Sequence, residues 1–257
     1  GYPRTTLKGG LGLYHQPPQP YQSIAPFGTP GVGSPSAIHS SFGIEQEISH
    51  PLELSVEGFH KDMRNLVVAV PDANNTQNGI SYQNIGSGRS YGAEFLLRYK
   101  PQGKFFGWVA YTLSRSERRD HPGDALYLYE YDQTHILTAL GSYKLGRGWQ
   151  AGARFRYISG SPYTPELGGV VDYDAGAYAP ITSNAKNSAR TGAFQQLDLR
   201  IDKTWQHKDW SFSMYLDVQN TYFHDNPEGV AYNYNYSKSG SLSGLPFLPI
   251  IGLRGEL

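Results

Sequence analysis

Apolar and polar residues alternate from Trp210 to Asn220. Trp210, Phe212, Met214, Leu216 and Val218 fall on one side of an extended chain, and Ser211, Ser213, Tyr215, Asp217 and Gln219 on the other. One face is apolar from end to end, and the other suits water. About nine further stretches repeat this period of two: residues 4–15, 38–48, 52 to about 61, 91–99, 105–114, 133–144, 149–159, 194–205 and 247–257. Leu197, Leu199 and Ile201 oppose Gln196, Asp198, Arg200 and Asp202, for example, and Ile38, Phe42, Ile44 and Ile48 oppose His39, Ser41, Glu45 and Glu47.

The connections alternate in length. Short ones lie near residues 50, 102, 146 and 207, and long ones lie between them: Gln16 to Pro35, a polar stretch through Pro71–Gly79, a charged loop with Arg118, Arg119, Asp120 and His121, then residues 160–191 and 221–245. Long loops at one end and tight turns at the other are the signature of a transmembrane β-barrel, with the turns in the periplasm and the loops outside. Aromatics gather near strand ends (Tyr99, Phe105, Phe106, Tyr143, Trp149, Trp205, Trp210), where interfacial girdles sit. The fold class expected is all-β: an antiparallel transmembrane barrel wall of about ten strands. Phe212, Met214, Leu216, Leu197, Leu199 and Ile251 should touch lipid, and Asp217, Arg200, Asp198 and Arg154 the lumen. A soluble β-sandwich is the competing architecture, but rows such as Arg154/Arg156 or Asp198/Arg200/Asp202 would be costly in a dry core.

Composition narrows this further. Across 257 residues Lys+Arg and Asp+Glu both number 22, so no overall field favours nucleic acid. Cys is absent, which removes disulfides, thiolate metal sites and Cys nucleophiles together. There is no apolar run of about 18 residues for a transmembrane helix. The first residues do not read as a leader, and the last, Leu257, continues the apolar face of its strand.

Six segments occur in a suggestive order: Gly88-Arg-Ser-Tyr-Gly-Ala-Glu-Phe95, Trp108-Val-Ala-Tyr-Thr-Leu-Ser114, Tyr131-Asp-Gln-Thr-His135, Tyr157-Ile-Ser-Gly-Ser-Pro-Tyr-Thr-Pro165, Asp217-Val-Gln-Asn220 and Ile251-Gly-Leu-Arg-Gly255. Together they resemble the C-terminal part of TonB-dependent outer-membrane receptors, over nearly the whole chain. The resemblance implies a plugged barrel that imports a scarce ligand, energised through TonB. Complete transporters of this kind have 22 strands around a plug. The chain is therefore expected to be a C-terminal portion, partnered by outer-membrane lipid, by the remaining wall and plug, by TonB through that plug, and by a small-molecule or peptide ligand. It departs from the family in ending on Leu257 rather than an aromatic.

Candidate chemistry is confined to the loops. Asp120-His121 and Asp132/His135 are acid and His groupings of the kind that activate water in an outer-membrane hydrolase, or are ordinary loop residues. Asp172-Tyr-Asp-Ala-Gly176 opens like a calcium loop, but Ser183 stands where a bidentate Glu is needed, so it reads as a turn. No cofactor or metal is expected. Tyrosines recur instead: Tyr127, Tyr129 and Tyr131 in one loop, Tyr163, Tyr173 and Tyr178 in another, and Tyr232, Tyr234 and Tyr236 in the last. Tyr joins a large contact face to a hydroxyl at low entropy cost, which suits ligand capture; period-two Tyr also extends strands. Substrate-binding candidates are Tyr127, Tyr129, Tyr131, Arg118, Arg119, Tyr163 and Tyr173, the arginines drawing either an anionic ligand or outer-leaflet phosphates. A ligand-importing receptor is the primary expectation, and a self-contained small barrel with a hydrolytic, structural or adhesive role is the alternative.

Overall fold

Ten period-two strands pair in chain order. The computed structural model describes residues 4–72, 74 and 79–256. Its wall strands are β1 (Thr5–His15), β2 (Ser36–Ser49), β3 (Leu52–Pro71), β4 (Ile80–Gln102), β5 (Phe105–Arg119), β6 (His135–Gly146), β7 (Trp149–Ile158), β8 (Phe194–Gln206), β9 (Ser211–Gln219) and β10 (Leu248–Glu256). Each pairs antiparallel with the next, and Tyr127–Leu128 adds a short piece to β5. Among the described residues no ladder joins β1 to β10, so the wall is an open arc.

Register fixes the two faces. Leu199 stands opposite Ala153 and Val218, Ile201 opposite Leu216, and Leu216 opposite Ile251. Side chains directly opposite in a ladder share a face, so Leu197, Leu199, Phe212, Met214, Leu216 and Ile251 form one apolar surface. Leu199, Met214, Leu216 and Ile251 are exposed on it, as lipid-facing residues must be. Arg at position 199 should therefore cost about 2–4 kcal/mol of barrel stability. Denaturant titration of the Leu199→Arg variant in lipid checks this, and an unchanged midpoint would mean that this face does not meet lipid.

The opposite face carries a charged network. Arg154 Nε and Nη2 donate to Asp198 Oδ2 at 3.0 and 2.7 Å, directly across the ladder. Gln196 Nε2 and the Asn220 N–H donate to Asp198 Oδ1 at 2.6 and 3.0 Å. Arg200 pairs with Asp202 at 2.7 Å and stacks 3.8 Å over Tyr215. Tyr215 in turn lies across Gly252, where a Cβ would fall 2.2 Å from the ring, so the glycine is what lets the aromatic lie flat. Arg156 Nε and Asp217 Oδ1 are buried with no partner among the described residues.

Two of the four tight turns at the short-loop end rest on glycine, one at Gly103 with φ 64 and the other at residues 146–148. Gly146, Arg147 and Gly148 all have positive φ, and a Cβ on Gly148 would sit 2.0 Å from the Thr204 carbonyl oxygen. The opposite end departs from expectation first at β3 and β4. The second long connection, expected from about residue 61 to 91, is mostly ladder: β3 runs on to Pro71 and β4 starts at Ile80. Register shifts between Met63 and Leu66 and again between Leu66 and Val68, with Asn65 at φ 56, break the period of two and hide the extension. Of the polar stretch Pro71–Gly79, residues 73 and 75–78 lie outside the described ones.

The later loops also carry structure. Glu166–Asp172 pairs with Ala177–Thr182, and Pro227–Tyr232 with Ser239–Ser243. These ribbons touch through Tyr178 and Tyr234 edge to face at 5.4 Å, and the Glu166 N–H donates to the Tyr232 hydroxyl at 3.0 Å. Asp172 Oδ1 accepts from the N–H groups of Asp174 and Ala175, both at 3.0 Å, which makes Asp172–Gly176 an Asx-type turn.

Candidate functional site

At the long-loop end β5 finishes in Arg118 and Arg119, and the chain turns back so that Tyr127 pairs with Arg118 and Leu128 with Glu117. The Tyr129 N–H then donates to the Ser116 carbonyl at 2.9 Å. This return places Arg118, Arg119, Tyr127 and Tyr129 together on a cleft of ≈ 770 Å³, closed opposite by the chain after β1 and by the outer part of β3. The Arg118 guanidinium lies 4.1 Å over the Tyr129 ring. Its Nη1 reaches only Ser116 Oγ and the Glu117 carbonyl, at 3.2 and 3.0 Å. Arg119 Nε is buried and unpartnered among the described residues. Neither guanidinium has a carboxylate partner there, so the cleft holds positive charge free for an anion.

Beside it a third cation is tied down. Lys186, from the loop after β7, contacts Asp120 Oδ2 at 2.5 Å and sits 4.6 Å over the Tyr127 ring, while the Tyr127 hydroxyl donates to Asp120 Oδ1 at 2.6 Å. Burial raises the Asp120 carboxyl, but hydrogen bonds from Lys186 and Tyr127 outweigh it and leave the group below its ordinary value. Burial lowers the Lys186 ammonium, and its bond to Asp120 outweighs that and leaves it raised. Burial raises the hydroxyls of Tyr127 and Tyr129. A lowered acid contributes fully above the ordinary carboxylate range and is lost as pH falls through its lowered pKa. A raised lysine contributes below the ordinary ammonium range and is lost as pH rises through its raised pKa. The tie should therefore hold unchanged from about pH 5 to 9 and loosen in acid. Amide exchange at Tyr127 and Asn187 across that range checks it, with Asp120→Asn as the permanently loosened control.

The loops are clamped underneath by Asp132, 2% exposed. Its Oδ1 accepts from the Ser116 N–H at 2.5 Å, and its Oδ2 from Thr134 Oγ1 at 3.1 Å and Arg190 Nη2 at 2.5 Å. Arg190 also reaches the Gly160 carbonyl at 2.8 Å. At the far side Asn220, at φ 52, ends β9 and donates to the carbonyls of His224 and Pro246.

The other tyrosines lie apart. Tyr131 is exposed and packs edge to face on Tyr129 at 5.4 Å, beside the cleft. Tyr163 pairs with Ala189 in a two-residue ladder, and Tyr173, 90% exposed, stands at the tip of its ribbon. Lys186, Arg190 and Asn220 organise the site although no motif marks them as site residues, and Asp132, expected as an acid grouped with His135, is bonded to Ser116, Thr134 and Arg190 instead. His121 pairs with Asp124 at 3.1 Å, and His135 Nδ1 lies 2.8 Å from the Tyr111 hydroxyl. Among the described residues no group of three or more His, Cys, Asp or Glu is placed to hold a metal ion.

The family model described as "TonB dependent receptor-like, beta-barrel" matches residues 2–220. A comparison with curated proteins finds no match. Among solved structures, the ferric-catecholate import receptor Fiu of E. coli K12 is similar over 98% of this chain and 32% of its own, at 18% identity and TM-score 0.63. The pyoverdine outer membrane receptor FpvA of Pseudomonas aeruginosa PAO1, bound to pyoverdine, is similar over 98% and 34%, at 13% identity and TM-score 0.65. The FrpB iron transporter of Neisseria meningitidis is similar over 98% and 36%, at 15% identity and TM-score 0.61. The chain thus spans about a third of each of these proteins.

Proposed function

The chain belongs to the TonB dependent receptor-like β-barrel family, and from that premise we propose that it is the C-terminal portion of an outer-membrane receptor that captures and imports a scarce, anionic small ligand. The long loops then face outside the cell and the tight turns the periplasm. The rest of the receptor supplies the remaining wall and a plug, and TonB drives import through that plug. The inner-face network around Asp198, with Arg156 Nε and Asp217 Oδ1 unpartnered, suits contact with such a plug.

The observation that carries the ligand reading is the pair Arg118 and Arg119, without carboxylate partners among the described residues, beside Tyr127 and Tyr129 on one cleft. Guanidinium forks and aromatic faces together favour a planar or chelating anion. That the named neighbours are receptors or transporters for a ferric catecholate, pyoverdine and iron supports a small-molecule ligand over a peptide. No catalytic role is assigned: Asp120 is held by Lys186 and Tyr127, and His121 by Asp124.

The test is uptake of a panel of ferric chelates by cells carrying the full-length receptor. Removing a hydrogen bond to a charged group costs roughly 1.5–3 kcal/mol, so an Arg118→Gln, Arg119→Gln variant should bind its chelate about 10- to 100-fold more weakly. Unchanged affinity would remove the cleft as the capture site. Turnover of any substrate that Asp120→Asn abolishes would establish a hydrolase instead.

A further inference from the structure

On the lipid-facing side of the wall, near its long-loop end, is a hollow of ≈ 740 Å³. Gly58 and Ala93, opposite each other in register, form its floor, and Phe42, His60, Tyr91, Leu113 and Arg115 form its sides. The space over Gly58 is open: an added Cβ would meet nothing nearer than two backbone oxygens at 3.9 and 4.0 Å. His60 and Tyr91 stack at 6.4 Å along one side.

Its height in the wall follows from the register. Phe105 marks the short-turn end of β5, and Arg115 lies ten residues further along. At about 2.5 Å of height per residue of tilted strand, that is roughly 25 Å, the height of a barrel's apolar band. Just here the outward row turns charged, with Asp62, Arg89 and Glu117 aligned across β3, β4 and β5. Glu117 accepts from Arg89 Nε at 2.6 Å and Arg115 Nε at 2.7 Å, and Asp62 holds Arg64 at 2.7 Å. The side chains of Arg64, Arg89 and Arg115 are 67, 46 and 53% exposed, whereas that of Glu117 is 6% exposed. Three cations face two carboxylates, and the better-covered carboxylate holds two of the forks in place. Arg89 and Arg115 each give Nε to Glu117, and both side chains stay about half exposed.

We propose that this hollow binds a phosphorylated acyl lipid of the surrounding leaflet, with an acyl chain over Gly58 and Ala93 between Phe42 and Leu113, and a phosphate on the terminal nitrogens of Arg89 and Arg115. Two features select that occupant. The apolar hollow opens directly beneath this cluster, whose three arginines outnumber its two carboxylates, which fits a molecule that is hydrocarbon at one end and anionic at the other. Both features also sit at the depth where lipid chains end and phosphates begin. The assignment rests on the reading that the long loops face outside, which makes the lipid an acylated sugar phosphate of the outer leaflet.

The full-length receptor, stripped of lipid in detergent, is titrated with diphosphoryl lipid A and followed by native mass spectrometry. Lipid retention is read without transport, so its failure is separate from failure of the import reading. Wild type should bind the diphosphoryl form at least about tenfold more tightly than its dephosphorylated form, and inorganic phosphate should not displace it. Two variants should each lose about tenfold or more: Arg89→Gln/Glu117→Gln/Arg115→Gln, which removes the charges and leaves no buried carboxylate stranded, and Ala93→Phe, which fills the hollow and keeps the arginines. Equal retention of both lipid forms, or an unchanged affinity in either variant, would overturn the site. An intact Ala93→Phe affinity would reduce it to a bare anion contact, and an intact triple-glutamine affinity to plain greasy contact. Both variants are first confirmed to migrate as folded barrels.

Discussion

Replacing Asp132 with Ala should open the outer loops while leaving the wall folded. The side chain is nearly inaccessible and takes three donors at once: the Ser116 N–H on β5, Thr134 at the base of β6, and Arg190 in the loop after β7. Removing it strands a partly buried guanidinium and a strand-end N–H together. Breaking a buried pair by deleting one partner costs about 3–5 kcal/mol, here charged against loop closure and not global unfolding, because the clamp ties loops and does not span the ladder. At about 1.4 kcal/mol per decade, the open population rises by about two to three and a half orders of magnitude. Amide exchange at Ser116 and Thr134 should speed up by that factor, and protease should cut the loops at residues 120–134 and 159–193 first. Ligand affinity falls with it, since Tyr127 and Tyr129 ride on the clamped segment. Asp132→Asn keeps an acceptor for Ser116 and should lose less. Asp132→Ala with Arg190→Met removes both charges and should recover part of the loss. If the double variant were no better than Asp132→Ala, the pair would not be the source of the effect.

That clamp shows where the chain was legible and where it was not. Strand phase was readable because every second residue answers to one solvent: Leu197, Leu199 and Ile201 against Asp198, Arg200 and Asp202 needed no partner to be sorted. The ends of β3 and β4 were not readable, because the irregularity around Asn65 shifts the phase and the strands beyond it answer to water on both sides. Pairings across long separations leave no local trace. Arg190 meets Asp132 from 58 residues away, and Lys186 meets Asp120 from 66. Arg118, Arg119, Tyr127 and Tyr129 were accessible for a local reason: a short ladder returns the loop onto the strand that carries the arginines. Tyr163 and Tyr173 share a residue type with them but no such return. Asn220 could have been found by its type, since Asn tolerates the left-handed conformation that ends β9 there.

Cysteines placed at Leu11 and Leu253 should not crosslink to each other in the full-length receptor. Among the described residues β1 is bonded only to β2, and β10 only to β9. Alternate residues aim their backbone groups to each side of a strand, so each outer edge leaves roughly five N–H and five C=O groups without a strand partner. In hydrocarbon each costs several kcal/mol, a sum no fold of this size carries. Something must therefore pair with both edges. Two solutions exist: β1 with β10, closing a ten-stranded barrel, or each edge with further strands of a larger wall. The open arc and the span of about a third of the similar receptors favour the second. The native chain has no Cys, so two introduced thiols report only on each other. A disulfide needs Cα atoms within about 7 Å, which direct pairing of β1 with β10 supplies and a larger wall does not. Met214 and Leu253 are opposite in register, so cysteines there should crosslink and serve as the positive control. Efficient crosslinking of the Leu11 and Leu253 pair would instead identify a self-closed small barrel. In a bilayer the isolated chain should correspondingly associate edge to edge or stay protease-sensitive, and strands that pair with both edges should relieve both.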